Sequence, residues 1–335
     1  MTLASCGNSR VMVHMGSLIV AVLGAPEYAG SLGKKGTATD ITLYDLKRGA
    51  DNVTFIEPTR YPERLAPLFY AVAMAEKAVV IVEELNATFG ECLVMLQCSN
   101  VNSGYFILRN YLSRGKIEPM IKGTCLEKFE FIEDNPILLR ERFITEAAQQ
   151  KPEGEAEEAM GTVPLDHAFN VKGVGTVVLG TVADGSVMKH DTMQVLPGGK
   201  TTQVRSIQKQ DDEFDSAYEG ERVGLALKNI EVADLDRGTV LTRDPAIKTS
   251  KLLDTHALLV KYWPVKIKTG MILHLGHWMQ FINGRVEAVS DEGDWHKPVL
   301  TVALDRELVH RPGDQAVLMY LEGGKLRVAG TIELP

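Results

Sequence analysis

Residues 151–162, "KPEGEAEEAMGT", separate two stretches whose apolar patterns cannot belong to one architecture. With a proline, two glycines, four glutamates and almost nothing to bury, the segment reads as a linker. Before it, apolar runs at 18–23, 53–56, 78–82, 105–108 and 129–132 alternate with helical stretches at 59–78, 89–101 and 136–150. Continuous apolar strands separated by helices predict a parallel sheet covered on both faces. After the linker, "GVGTVVLGTVADGSV", "DTMQVLPGGKTTQVRSIQ" and "ERVGLALKN" are β-rich runs broken by Asp-Gly and Gly-Gly turns. From residue 252 onward the pattern recurs in "HALLVKYW", "MILHLGHW", "KPVLTVALD" and "QAVLMYL". The expected organisation is an α/β domain over 1–148, a linker over 149–162, and two antiparallel β-barrels over 163–247 and 248–335.

No apolar run approaches the ~20 residues of a membrane span, and residues 1–15 carry no signal pattern, so a cytoplasmic chain without a membrane partner is expected. The net charge of −8 argues against unspecific nucleic-acid binding, DNA included. It leaves room for a local basic patch, because only charges within roughly a Debye length (about 10 Å) of a phosphate count. Cys6, Cys92, Cys98 and Cys125 form no C-x-x-C pair, so neither a metal nor a disulfide is expected.

The stretch "LIVAVLGAPEYAGS" has the outline of G-x-x-x-x-G-K-[ST], in which backbone N–H groups and one lysine cradle phosphates. Gly24 and Ser31 fit. Ala29 stands at the second glycine and Gly30 at the lysine. Lys34 and Lys35 lie close by, but Tyr28 occupies the place of the first glycine for that register.

"VPLDHAFNVKGVGTVVLGTVADGSV" at 163–187 resembles the opening of the second domain of EF-Tu-type translational GTPases, and "LGKKGTATDITLYD" at 32–45 resembles the segment after the phosphate loop of archaeal SelB. The likeness runs over nearly the whole chain. It is greatest to the SelB-like elongation factors, and among them to the shorter methanogen branch that includes EF-Pyl, named for a proposed link to pyrrolysine. The resemblance implies a P-loop-type GTPase domain, and each of its motifs can be checked. The second motif, Asp-Thr-Pro-Gly-His in the family, reads Glu57-Pro58-Thr59-Arg60-Tyr61 here, replacing the γ-phosphate glycine by Arg60 and the water-positioning histidine by Tyr61. The base-reading motif falls on Arg109-Asn110-Tyr111-Leu112, with Leu112 where a carboxylate should pair with guanine. Roughly three charge-assisted hydrogen bonds are lost at about 1.5–3 kcal/mol each. With the Ala29 penalty the loss is on the order of 5–9 kcal/mol, roughly four to six decades of affinity. GTP and Mg²⁺, which the family binds, are not expected to be held tightly, and no other cofactor is expected.

In SelB-type factors an Asp-His pair and an arginine of the second domain are associated with the aminoacyl group. The resemblance carries that role onto Asp166, His167 and Arg222. A carboxylate, an imidazole and a guanidinium in one pocket suit a charged or strongly polar group such as a selenolate or an amine. By type alone, the same residues equally suit capping and pairing within a barrel. Further RNA contacts are sought at Lys172, Lys261, Lys266, Lys268 and Arg285, with "KYWPVKIKTG" the most concentrated basic-aromatic stretch. The chain ends at Pro335, where the third unit should end, so direct reading of an mRNA hairpin is not expected. The leading expectation is a monomeric, SelB-like pseudo-GTPase that binds aminoacyl-tRNA, with the ribosome as a further partner. Its alternatives are an active GTPase with a divergent site using Lys34 or Lys35, and a translation-associated protein-binding scaffold.

Overall fold

The computed structural model describes residues 16–150, 160–291 and 293–335. Cys6 and most of the proposed linker lie outside the described residues.

The five apolar runs are the strands β1 (Ser17–Leu23), β4 (Asp51–Glu57), β5 (Lys77–Val82), β6 (Gly104–Leu108) and β7 (Glu130–Ile132). They pair in parallel in the order β4-β1-β5-β6-β7. Two strands the apolar pattern did not reveal, β2 (Lys34–Ala38) and β3 (Thr42–Arg48), extend the sheet antiparallel at the β4 edge, making it mixed. Their composition explains the omission. Strand β2, at the edge, is exposed throughout, and β3 beside it is buried only over Thr42–Tyr44 before ending in charged residues.

Helix α1 spans only Ala66–Ala73, shorter than the 59–78 expected, because Pro58 and Pro62 keep the approach non-helical and Pro67 sits at the helix start. Helix α2 (Ala87–Cys98) follows β5, with Asn86 Oδ1 accepting the Phe89 N–H at 2.8 Å as its cap. Helix α3 (Arg114–Ile121), unforeseen in the sequence, contains Pro119, and α4 (Pro136–Gln149) closes the domain. Leu139, Phe143 and Ile144 of α4 cover one face of the sheet, while α1 and α2 cover the other. Cys92 and Cys98 belong to that second core, and burial pushes both thiols up to about 12.

The second unit is a closed ring formed by β8 (Thr162–Val171), β9 (Gly175–Thr181), β11 (Thr192–Leu196), β12 (Lys200–Lys209), β15 (Arg222–Lys228) and β16 (Val240–Thr242). Short strand β13 (Asp212–Phe214) pairs with β12, while β10 (Ser186–Met188) and β14 (Ser216–Tyr218) form a separate two-stranded sheet. The third unit is a six-stranded barrel of β17 (Lys248–Leu259), β18 (Ile272–His277), β19 (Gln280–Ser290), β20 (Val299–His310), β21 (Gln315–Met319) and β22 (Val328–Glu333). Both barrels are antiparallel, and closure leaves neither with a free ring edge.

The three units share their interfaces tightly. Val317, Met319 and Val328 of the third barrel sit in the same apolar cluster as Phe69 and Leu93 of the first domain. Gly276 makes this possible, since a Cβ there would lie 2.5 Å from the Phe69 ring. Arg327 donates from its backbone N–H and two guanidinium nitrogens to the carboxylate of Glu91, which is only 2% exposed. Arg311 of the third unit bridges Asp184 and Asp244 of the second. Arg237 of the second unit pairs with Asp40 of the first at 2.8 Å.

Truncating one partner of a buried ion pair leaves the other charged and unsolvated. Arg327→Ala should therefore cost about 3–5 kcal/mol in urea unfolding. The Glu91→Gln/Arg327→Met double variant should lose less than the two single changes summed.

Candidate functional site

Strand β1 ends at Leu23 and is followed by Gly24, whose φ of +94° and closeness to Ile81 admit no side chain: a Cβ would lie 2.0 Å from the Ile81 carbonyl oxygen. No α-helix follows. Residues Tyr28–Ser31 make a single 3-10 turn, and the chain then enters β2. The helix N-terminus that would gather phosphate in a phosphate loop is therefore not formed. The loop's amides have an internal acceptor instead. The Glu57 carboxylate accepts the Ala29 N–H at 2.8 Å and the Glu27 N–H at 3.2 Å, in a position 6% exposed. Burial raises the Glu57 carboxyl above its usual range despite these bonds, and burial with Glu57 alongside pushes the Tyr44 hydroxyl up to about 12. Gly30 and Ser31 face the other way. They line a cleft of about 760 Å³ with Lys34, Lys35 and Arg140, and Ser31 Oγ donates to the Tyr28 carbonyl at 2.7 Å.

Tyr28 and Ala29 are buried in the core under α4. The Tyr28 hydroxyl donates to Asp134 at 2.8 Å, and Arg109 donates to Asp134 at 2.7 Å and to Glu83 at 2.8 Å while lying over the Tyr28 ring. The position expected to meet a base is thus cross-linked to its own neighbours. Leu112 packs on the apolar cluster beneath. Between these parts, Gly24, Glu83, Glu84, Asn86, Thr88 and Asn110 line a cleft of about 300 Å³ with two carboxylates and no cation. Arg60 is exposed and lies 3.8 Å from Glu63. Tyr61 turns inward. Its hydroxyl donates to the Thr88 carbonyl at 3.0 Å beneath Arg327, and burial, with Cys92 and Glu91 beside it, holds that hydroxyl well above the usual tyrosine range.

The three pocket residues of the second unit do come together. A β-bulge between Leu165 and His167 shifts the register of β8, bringing Asp166 and His167 side by side. Arg222, at the start of β15, donates both terminal nitrogens to Asp166, and His167 Nδ1 bonds the same carboxylate. Burial alone would raise the Asp166 carboxyl, but the Arg222 charge and the His167 bond hold it well below the usual carboxylate range. Asp166 is consequently spent on its two neighbours. His167 Nε2 faces Thr39 of the first domain at 3.4 Å, and Arg222 borders a cleft of about 710 Å³ between the units. That cleft has an apolar wall, including Phe169, Val177 and Leu179, and a carboxylate, Asp45, on the first-domain side. Arg237 was missed in the sequence. It donates to the Asp166 carbonyl, Asp40 and Thr39, so it fixes the cluster against the first domain. No local motif marks it, because all its partners come from other elements. Of the scattered cations, Lys266 pairs with Asp291 and Arg285 lies 3.8 Å from Glu287, while Lys172, Lys261 and Lys268 are exposed.

Because the Asp166 carboxyl is lowered by folding, its stabilisation is complete above the ordinary value of 3.8 and drains away as pH falls below it. Asp166→Asn should be less stable than the parent at neutral pH. It should also lose part of the acid limb in denaturant midpoints followed from pH 6 to 2, a window set by the downward direction of the shift.

Residues 175–242 match the family described as Elongation factor Tu domain 2. An uncharacterised protein of Methanocaldococcus jannaschii is 35% identical over 322 residues, 96% of this chain and 100% of that one. The selenocysteine-specific elongation factor of the same organism is 29% identical over 178 residues, 48% of this chain and 37% of that protein. Elongation factor SelB from Methanococcus maripaludis, solved with the GTP analogue GPPNHP, shares the fold: the TM-score is 0.77 at 20% identity, over 96% of this chain and 79% of that one. Full-length likeness places the chain in one family with the uncharacterised Methanocaldococcus jannaschii protein, with a Tu-type second domain at 175–242 and the three-unit fold seen in SelB.

Proposed function

We propose that this chain is a SelB-like pseudo-GTPase, binding an aminoacyl-tRNA in one constant shape without a nucleotide cycle. The observation that carries the reading is the Glu57 carboxylate seated on the loop amides of Glu27 and Ala29. An anion already occupies the donors a phosphate would need, and Glu84 adds negative potential to the same corner, where Glu83 is paired with Arg109. Tyr61, sealed between α2 and the third barrel, supports the loss of water activation.

The RNA half of the reading rests on the Asp166–His167–Arg222 cluster and the adjoining cleft. Arg222 is neutralised by Asp166, and the cleft lining carries both acids (Asp45, Asp211 and Glu213) and bases (Lys189 and Arg205), so it suits a charged or strongly polar group. The amino acid carried is in this reading a non-standard one, for which the family resemblance supplies pyrrolysine as the candidate. The ribosome is the further partner it implies, and the setting is cytoplasmic. A second reading, a divergent nucleotide site, has one observation in its favour: Lys34, Lys35 and Arg140 share a cleft with Gly30 and Ser31.

A fluorescent-GTP titration with Mg²⁺ decides between them. No saturation below about 1 mM is expected; micromolar affinity, lost in Lys34→Ala/Lys35→Ala, would establish the second reading.

For the RNA half, charged tRNA should be retained more tightly than uncharged tRNA. His167→Ala and Arg222→Lys, with folding checked by thermal melts, should weaken retention of the charged form about tenfold. Equal retention of both forms by parent and variants refutes the pocket.

A further inference from the structure

The seam between the first domain and the third barrel carries a feature that neither the loop nor the Asp166 cluster uses. Helix α2, the end of α3 with the turn after it, and two loops of the barrel enclose an open groove of about 580 Å³. On α2, Gly90, Val94 and Gln97 present one face at helical spacing. The lining is largely aliphatic, with Leu93, Leu126, Val260 and Leu326, and Met120 at 39% exposure. Lys122, Lys261 and Lys325 border it, and none has a carboxylate partner among the described residues. The one acid of the lining, Glu91, is already neutralised by Arg327. Within a chain of net charge −8, this combination is a local inversion of sign.

The groove is also preformed. Tyr262, 70% exposed, stands next to Trp263, which is 2% exposed and anchors the loop. The Val260 N–H donates to the Ala329 carbonyl at 2.8 Å and the Trp263 N–H to the Val260 carbonyl at 2.9 Å. The Arg327–Glu91 pair draws the two walls together. A ligand therefore meets rigid walls and loses little binding energy to ordering them.

We propose that this groove docks an acidic amphipathic helix of a protein partner, with an apolar stripe on the aliphatic floor and flanking carboxylates on the three lysines. An apolar floor within a charged rim is the arrangement that receives helix anchors at i, i+3, i+4 and i+7. The rim charges steer the approach and give it salt dependence. RNA fits the surface less well. It would meet the lysines with its phosphates but leave the aliphatic floor uncovered, and Tyr262 is the one aromatic ring of the lining among the described residues. This proposal is independent of the nucleotide and tRNA readings.

The test is selection from a displayed library of helix-templated peptides against the full chain, repeated against Lys122→Glu/Lys261→Glu/Lys325→Glu. Enriched peptides should be acidic with apolar residues at helical spacing. A synthetic copy should bind about tenfold more weakly to Met120→Glu and to the lysine-reversed protein, both melting as the parent does. Failure to enrich any peptide, or enrichment of peptides that bind the reversed protein equally well, overturns the proposal. So does an RNA hairpin that outcompetes the selected peptide and loses affinity on lysine reversal.

Discussion

The carboxylate of Glu57 accepts two backbone N–H groups of the loop leaving β1, and this ties the end of β4 to that loop across the sheet edge. With those donors satisfied, the loop closes into one 3-10 turn, and Tyr28 and Ala29 fold into the core beneath α4. The turn then feeds β2 directly, so the antiparallel extension of the sheet follows from the same arrangement. A site whose backbone would otherwise wait for an external anion is complete by itself. Burial keeps the contact dry, where hydrogen bonds to a charged acceptor count for more than in water.

The same economy governs the neighbouring segment. Tyr61 and Glu91 face the third barrel and meet Arg327, which joins domains through a fully paired, buried carboxylate. Phe69 enters the space that Gly276 leaves open, and Arg237 and Arg311 fasten the second unit to its two neighbours. A switch needs an element with two arrangements of comparable energy. Here Tyr61, Glu91 and Arg237 are engaged in contacts between units, in keeping with the single shape proposed above.

Much of this was legible in the chain. The runs at 18–23, 53–56, 78–82, 105–108 and 129–132 identify the parallel strands because a doubly covered sheet needs them apolar throughout. Asp-Gly and Gly-Gly turns mark the barrels. Asp166, His167 and Arg222 were found through their local sequence, and they meet in space. The edge strand β2 has no apolar signature because it is exposed, and β3 beside it has only a short buried start before its charged end. Helix α1 is shorter than its apolar stretch because Pro62 and Pro67 confine it. Arg237 carried no signal at all.

Composition and order along the chain determined the kinds of element, their sequence, and the lack of a lysine in the loop at 24–31. Only the folded molecule decided what took its place. Ala29 meets Glu57 across 28 residues, Arg222 meets Asp166 across 56, and Arg327 meets Glu91 across 236. Such pairings follow from packing, since a buried donor or charge must find whichever partner the closed core brings within reach.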